Sequence, residues 1–203
     1  MQPSLDGHAA PVADFLFSPS DPSVLENVQF SDTSYDPADA GISAVTWELG
    51  DGTTAIGSSP THRYAADGEY RARLSVTTTD GRTSSITRIV TVRTHDVAIV
   101  ELDAPRFART GETHPISVAV KSSRYPETVQ VELFRNAGVE PLATLIHGLT
   151  ARDVVSFGFA YTFAAEDASA AAVTFHAVAT VVGARDARPA DNVAVAKPTE
   201  VGP

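Results

Sequence analysis

Apolar and polar residues alternate with a period of two through most of this chain, and nothing else constrains its fold as strongly. Tyr70, Ala72, Leu74 and Val76 take one face of a run, while Arg71, Arg73, Ser75 and Thr77 take the other. Side chains that alternate sides belong to an extended backbone, so each such run is a strand with one buried face. Ala13, Phe15 and Phe17 share a face in the same way, as do Val45, Trp47 and Leu49. Further along, Ile116, Val118 and Val120 alternate, followed by Val129, Val131 and Leu133. The clearest run sets Val155, Phe157, Phe159, Tyr161 and Phe163 against Ser156, Gly158, Ala160, Thr162 and Ala164. In Ile86–Val92 the adjacent Ile89 and Val90 leave the phase ambiguous and admit a bulge. Helical periodicity is essentially absent. The Ala-rich stretch Ala164–Ala172 lies between strand runs and reads as a loop with room for one helical turn.

Turn signals separate these runs at Asp67-Gly68, Asp80-Gly81, Asn136-Ala137-Gly138 and His147-Gly148. Many short strands with frequent turns predict an all-β protein built of antiparallel sandwiches. A boundary falls near Thr94-His95, giving one domain over 10–93 and a second over 96–196. Only Arg93, Thr94, His95 and Asp96 separate the two flanking strand runs. Four residues reach at most about 14 Å, so the join should limit relative orientation and favour an end-to-end rod. The first ten or so residues and the tail Lys197–Pro203 are expected to fray.

Composition narrows the classes. A hydrophobic fraction of 43% with 20% charged residues fits a soluble globular chain. No apolar run approaches the roughly 20 residues of a membrane span, so no membrane insertion is expected. Net charge is −10, which repels phosphate and argues against nucleic acid and anionic membranes as partners. The absence of cysteine excludes disulfides, thiolate metal sites and cysteine nucleophiles. Met1–Gly7 carries neither a basic n-region nor an apolar h-region, which reads as no signal peptide. That leaves an intracellular protein or a fragment of a longer exported one.

The motif that looks most chemical is Trp47-Glu48-Leu49-Gly50-Asp51-Gly52, which contains the single tryptophan. A phosphate loop needs Gly-Lys-Ser/Thr before a helix, or G-x-G-x-x-G entering one. Here Thr53-Thr54-Ala55-Ile56 follows, with no lysine and no amphipathic helix. A structural reading accounts for every position. Trp47 and Leu49 point inward, Glu48 outward, and the glycines allow positive φ in a tight turn. Asp51 is placed to accept backbone hydrogen bonds within that turn.

The motif extends over many spaced positions. Asp39-x-Gly41-Ile42 precedes it, and His62-x-Tyr64-x-x-x-Gly68-x-Tyr70-x-x-x-Leu74-x-Val76 follows it. With the strands in Ala10–Pro19 and Val28–Ser34, residues 10–93 resemble the polycystic kidney disease (PKD) domain. Leu49 stands where that family's pattern usually has phenylalanine. The resemblance implies an immunoglobulin-like sandwich that serves exported enzymes and surface proteins as a spacer or accessory binding module.

The second half is similar to the cell-adhesion-related domain found in bacteria (CARDB). The similarity lies in Asp96-Val97-Ala98-Ile99, Gly111-Glu112 before Ile116–Val120, Val129-x-Val131-x-Leu133, Gly148-Leu149 and Asp191-Asn192. Of that family's final acidic residue and paired asparagines, only Asp191-Asn192 remains. The two resemblances together imply two tandem immunoglobulin-like sandwiches, the second of CARDB or fibronectin type.

Residues able to do chemistry are scattered. His8, His62, His95, His114, His147 and His176 show no H-x-x-x-H or H-E-x-x-H spacing for zinc. His62 is expected to tether a turn, and His176 to sit at the surface. No G-x-S-x-G elbow is present. Asp32, Asp36 and Asp39 form the best acidic cluster, yet lack the D-x-D-x-D-G spacing of a calcium loop. Turn capping is their routine role, and calcium there stays open because some PKD-like domains carry such an ion. Arg185–Asn192 reads as a charged hairpin loop rather than an ion site.

Carbohydrate modules present exposed aromatic platforms. Trp47, Tyr64, Tyr70 and Tyr161 fall on inward phases, leaving Tyr35 and Tyr125 as candidate exposed rings, too isolated for a platform. The expectation is therefore no catalytic, cofactor-binding or metal-ligating residue. The chain reads as a monomeric, non-catalytic extracellular or cell-surface spacer or adhesion region of a larger exported bacterial protein, with a protein or polysaccharide partner. The alternative is an accessory substrate-binding region of a secreted hydrolase.

Overall fold

A computed structural model of the protein describes residues 9–203. The fold is all-β, and the chain divides into two compact units between Thr94 and His95. Of the first ten or so residues expected to fray, residues 1–8 lie outside the described residues.

The first unit contains β1 (Phe15–Ser18), β2 (Val28–Asp32), β3 (Ile42–Glu48), β4 (Thr54–Ile56), β5 (Thr61–His62), β6 (Gly68–Thr78) and β7 (Thr83–Val92). They form two sheets, β1-β2-β5 and β4-β3-β6-β7, whose pairs are all antiparallel. Phe15, Phe30, Trp47, Leu74, Val76 and Val90 share one core, so the sheets close as a sandwich. Trp47 on β3 reaches across the gap. Its ring meets Phe15 edge-on at 5.1 Å and Phe30 at 5.5 Å. It is 1% exposed, and its one donor is satisfied by Gly57 O at 2.8 Å.

β6 and β7 pair without a shift from Gly68↔Val92 to Thr77↔Thr83. Val90 and Val92 are buried and Ile89 is left exposed, so the ambiguous phase resolves without a bulge in that strand. The irregularity falls instead in β3, between Ile42 and Ala44 opposite β6.

The second unit begins with β8 (Val97–Asp103), β9 (Phe107–Arg109), β10 (Thr113–Ser122), β11 (Glu127–Arg135), β12 (Ala143–Leu149) and β13 (Val154–Thr162). A single helical turn, α1 (Ala165–Ser169), follows, in the stretch read as a loop with room for one. The chain ends with β14 (Ala172–Val173), β15 (Phe175–Val181), β16 (Val193–Val195) and β17 (Thr199–Gly202). Sheets β13-β10-β8 and β12-β11-β15-β16 enclose a core rich in valine, with Phe157, Phe159, Phe163 and Phe175.

Two turn or fray expectations fail here for local reasons. His147-Gly148 lies inside β12, with Gly148 opposite Thr128 of β11. β12 is an edge strand whose residues 143–148 are exposed, so it carries no inward face to mark it as a strand. The tail is also ordered. β17 lies between β14 and β9, running parallel to β9, with Thr199 and Val201 buried. Thr199 Oγ1 donates to Pro105 O at 2.6 Å.

Candidate functional site

The turn after β3 uses its polar groups on itself. Leu49 N donates to Thr53 O at 2.9 Å, while Gly50 and Gly52 have φ of 90° and 91°. At Gly50 a side chain is excluded as well, because a Cβ would sit 2.6 Å from Arg71 N. Asp51 Oδ1 accepts from Thr53 N at 3.0 Å and from Thr53 Oγ1 at 2.6 Å. Its Oδ2 lies 2.7 Å from His62 Nε2. Burial pushes the Asp51 carboxyl upward, but the hydrogen bonds from Thr53 and His62 outweigh it and leave it lowered.

This trio is no nucleophile–base–acid relay. Such a relay passes the hydroxyl and the carboxylate to different ring nitrogens. Here Thr53 and Asp51 both approach Nε2, at 3.5 and 2.7 Å. The arrangement is a clamp between the turn and β5, as expected of His62. Beneath it Tyr64 is buried and donates from its hydroxyl to Leu49 O at 2.8 Å. Burial, then the charge of Asp51, pushes the Tyr64 phenol well above its ordinary range.

The acidic cluster of the first unit is likewise spent on structure. Asp32 Oδ1 accepts from Ser34 N at 2.9 Å, and Asp39 takes a left-handed φ of 59° within the turn. Asp36 faces Arg82. The guanidinium reaches its two oxygens at 2.8 and 2.7 Å, and the side chains are 7% and 2% exposed. The same guanidinium holds Asp80 through Nε at 3.0 and 2.9 Å and donates to Ala9 O. The hydrogen bond from Arg82 lowers the Asp36 carboxyl to about 2, assisted by the Ala38 and Ala40 amides. A cation therefore already sits against the carboxylate that calcium would need.

Aromatic placement departs partly from expectation. Tyr35 is exposed, but Tyr125 is half-buried with its ring 5.4 Å from that of His95. Tyr70 is half-buried and stacks on Tyr64 at 4.1 Å. His176 is only half-buried, yet its ring stacks parallel to that of Phe134 at 4.7 Å. The ring missed from sequence is Phe107, 69% exposed on the three-residue β9. It borders an open depression with Arg109, Glu112, Ala171 and Glu200. A strand that short has no alternation to announce which way its phenylalanine faces.

In the second unit Arg135 gathers a second network. Its Nη1, with two hydrogens to donate, lies 2.8 Å from the Tyr161 hydroxyl, 2.9 Å from Asp167 and 3.0 Å from Glu166. Asp167 also accepts from Ala164 N at 2.8 Å, which caps the helical turn. These links lock α1 to β11 and β13.

The loop read as a charged hairpin does more than turn. It contains a short 3-10 segment, Pro189–Asp191, and brings Asp186 and Asp191 beside Asp96 at the start of the unit. One carboxylate oxygen from each of the three lies within 4.8 Å of the others. Burial first, then the charges of Asp191 and Asp186, raise the Asp96 carboxyl above its ordinary value. Sequence spacing could not reveal this group, because Asp96 is separated from the other two by most of the unit.

Comparison with known proteins places the first unit. Residues 8–94 match the family model described as PKD domain, so that unit is a PKD domain. A microbial collagenase of Vibrio alginolyticus is 35% identical over 91 residues, covering 45% of this chain and 11% of the collagenase. Collagenase ColA of Clostridium perfringens is 38% identical over 64 residues, covering 30% of this chain and 6% of that protein. The chain thus spans about a tenth or less of the curated relatives it matches. Among solved structures, a CARDB domain from Pyrococcus furiosus in complex with di-metal ions is 17% identical. It covers 54% of this chain and 90% of that one, with a TM-score of 0.44.

Proposed function

We propose that this chain is a non-catalytic tandem of β-sandwich modules from a larger exported protein, where it acts as a spacer or interaction region. The observation that carries the reading is the use of Asp51, Thr53 and His62. The most chemical-looking motif spends its hydroxyl, imidazole and carboxylate on one another and on a turn. An extracellular or cell-surface location is supported by the likeness of the PKD unit to segments of collagenases. Among the described residues no helix is long and apolar enough to cross a membrane. The partner in this reading is an extracellular protein or a polysaccharide, and the net charge of −10 disfavours nucleic acid. The chain acts as a monomer.

A second reading is favoured by the same likeness: an accessory region that holds substrate for a secreted hydrolase. Collagen is then the first substrate to test, ahead of polysaccharide, because the curated relatives of the PKD unit are collagenases. Co-sedimentation with insoluble collagen, chitin and cellulose separates the two. A spacer stays in the supernatant with all three. Saturable retention on collagen with Kd below about 100 μM, equivalent to about −5.5 kcal/mol, replaces the spacer with the substrate-holding reading. Release of peptides from collagen by the chain alone would overturn both.

A further inference from the structure

We propose that Asp96, Asp186 and Asp191, completed by the Asn192 side-chain oxygen, bind a hard divalent cation, with calcium the best fit. Two oxygens on one calcium, each about 2.4 Å from it, are at most about 4.8 Å apart. The three carboxylate oxygens here meet that limit.

A second and independent observation points to a ligand. Asp96 Oδ1, Asp191 Oδ1 and Asn192 Oδ1 are each hidden from solvent and have no hydrogen-bond partner. Only four buried side-chain polar atoms among the described residues are unsatisfied in this way. Three of the four belong to Asp96, Asp191 and the adjoining Asn192, and all three are oxygens. Asn192 is 6% exposed, so water has little access to its side chain. Native interiors rarely leave such oxygens unmatched, and an ion or ordered water is the usual remedy. Carboxylates this close also repel, and a divalent ion removes both costs at once.

The site is braced from outside. Asp186 Oδ2 accepts from Val97 N at 2.9 Å, and its Oδ1 accepts from Arg188 N at 2.7 Å. Carboxylate oxygens keep lone pairs after accepting one hydrogen bond, so these bonds orient Asp186 and leave it able to ligate. Ser123 N donates to Asp96 O at 3.0 Å, and Ala187 N to His95 O at 2.8 Å. Both fix the backbone that carries the site.

The donor set selects the ion. Carboxylate and amide oxygens without imidazole or thiolate suit calcium, magnesium or manganese rather than zinc. Calcium tolerates an irregular shell finished by water, whereas magnesium demands a near-octahedral one. Bound there, the cation ties the residue that leads into β8 to the loop that leads into β16. This assignment sits away from the Asp32–Asp39 loop and differs from the expectation of no metal ligand.

The test uses the full chain, stripped with chelator and held at constant ionic strength. Added calcium should raise the melting temperature reversibly, and calorimetry should give one site with Kd of about 0.1–1 mM, the range of extracellular modules. Asp191→Asn and Asp96→Asn, both isosteric, should each weaken calcium binding at least tenfold while far-UV circular dichroism stays unchanged. Asp39→Asn, in the other acidic loop, should leave binding intact. The proposal is overturned by no heat and no melting shift up to about 10 mM calcium. It is equally overturned by a shift that survives both isosteric variants, or by a shift that Asp39→Asn removes. A response to magnesium without one to calcium overturns the choice of ion.

Discussion

Two carboxylate clusters, one in each unit, use the same residue type and end in opposite electrostatic states. In the PKD unit Asp36 and Asp80 share the guanidinium of Arg82, and both carboxyls are lowered. In the second unit Asp96, Asp186 and Asp191 converge on one another, Asp96 is raised, and two buried carboxylate oxygens have no partner. The first cluster is complete within the chain. The second is complete only with a proton, a water or a cation from solution. Clustering of acidic residues in sequence therefore says little about ion binding. What matters is whether a basic side chain from elsewhere in the fold reaches them first, and Arg82 comes from the turn between β6 and β7, far from Asp36 in sequence.

With Asp36 and Asp80 both paired to Arg82, the PKD unit's largest sensitivities should lie in packing and backbone. Trp47→Ala tests the first. Removing a ring that contacts Phe15 and Phe30 across the sandwich leaves a large cavity, with an expected loss of about 3–5 kcal/mol by denaturant titration. A loss below about 1 kcal/mol would mean that the sheets close without the indole. In the wild type, Trp47 fluorescence reports this unit alone and should show a blue-shifted, water-excluded maximum.

The backbone test uses two glycines of one turn with nearly equal φ. Gly50→Ala meets both the left-handed conformation and the Arg71 backbone, whereas Gly52→Ala meets open space. Gly52→Ala should cost about 1–2 kcal/mol, the conformational term alone. Gly50→Ala should cost about 1–3 kcal/mol more, for the backbone displacement it forces. Equal losses, measured by Trp47 fluorescence in urea, would show that the close approach of β6 to the turn is unimportant.

How much was legible follows the same division. The PKD unit writes its constraints as local spacing. The inward phase of Trp47, the positive φ of Gly50 and Gly52, and the tethering role of His62 all follow from residues within one hairpin and the next strand. In the second unit the strands with one buried face were readable, because Val129, Val131 and Leu133 alternate cleanly. β12 and β17 were not, since β12 is an exposed edge strand and β17 turns only Thr199 and Val201 inward, too few positions to set a period. Phe107 was missed for the same reason. The Asp96–Asp186–Asp191 group was unreadable in principle, because it depends on which loop lands beside the residue that leads into β8. Tyr125 is half-buried rather than exposed, and one ring beside it is that of His95, which is distant from it in sequence.

The smallest effect near neutral pH is expected from acid, and it separates a paired carboxylate from an unpaired one. Asp36 ionises at about 2 in the folded unit, against an ordinary value of 3.8. A carboxyl lowered by folding contributes stability above its unfolded value, and that stability is lost as pH falls towards the folded one. The PKD unit, followed through Trp47, should therefore hold its Asp36 contribution unchanged from pH 7 to about 5 and lose it between about 4 and 2. Arg82→Met removes the main cause of the lowering. It should reduce stability at neutral pH, where Asp36 is left buried and uncompensated, and flatten the acid dependence between those limits. An acid profile identical in wild type and Arg82→Met would show that Ala38 and Ala40 alone hold the carboxylate. The two units would then differ in their turns rather than in whether a cation is built in.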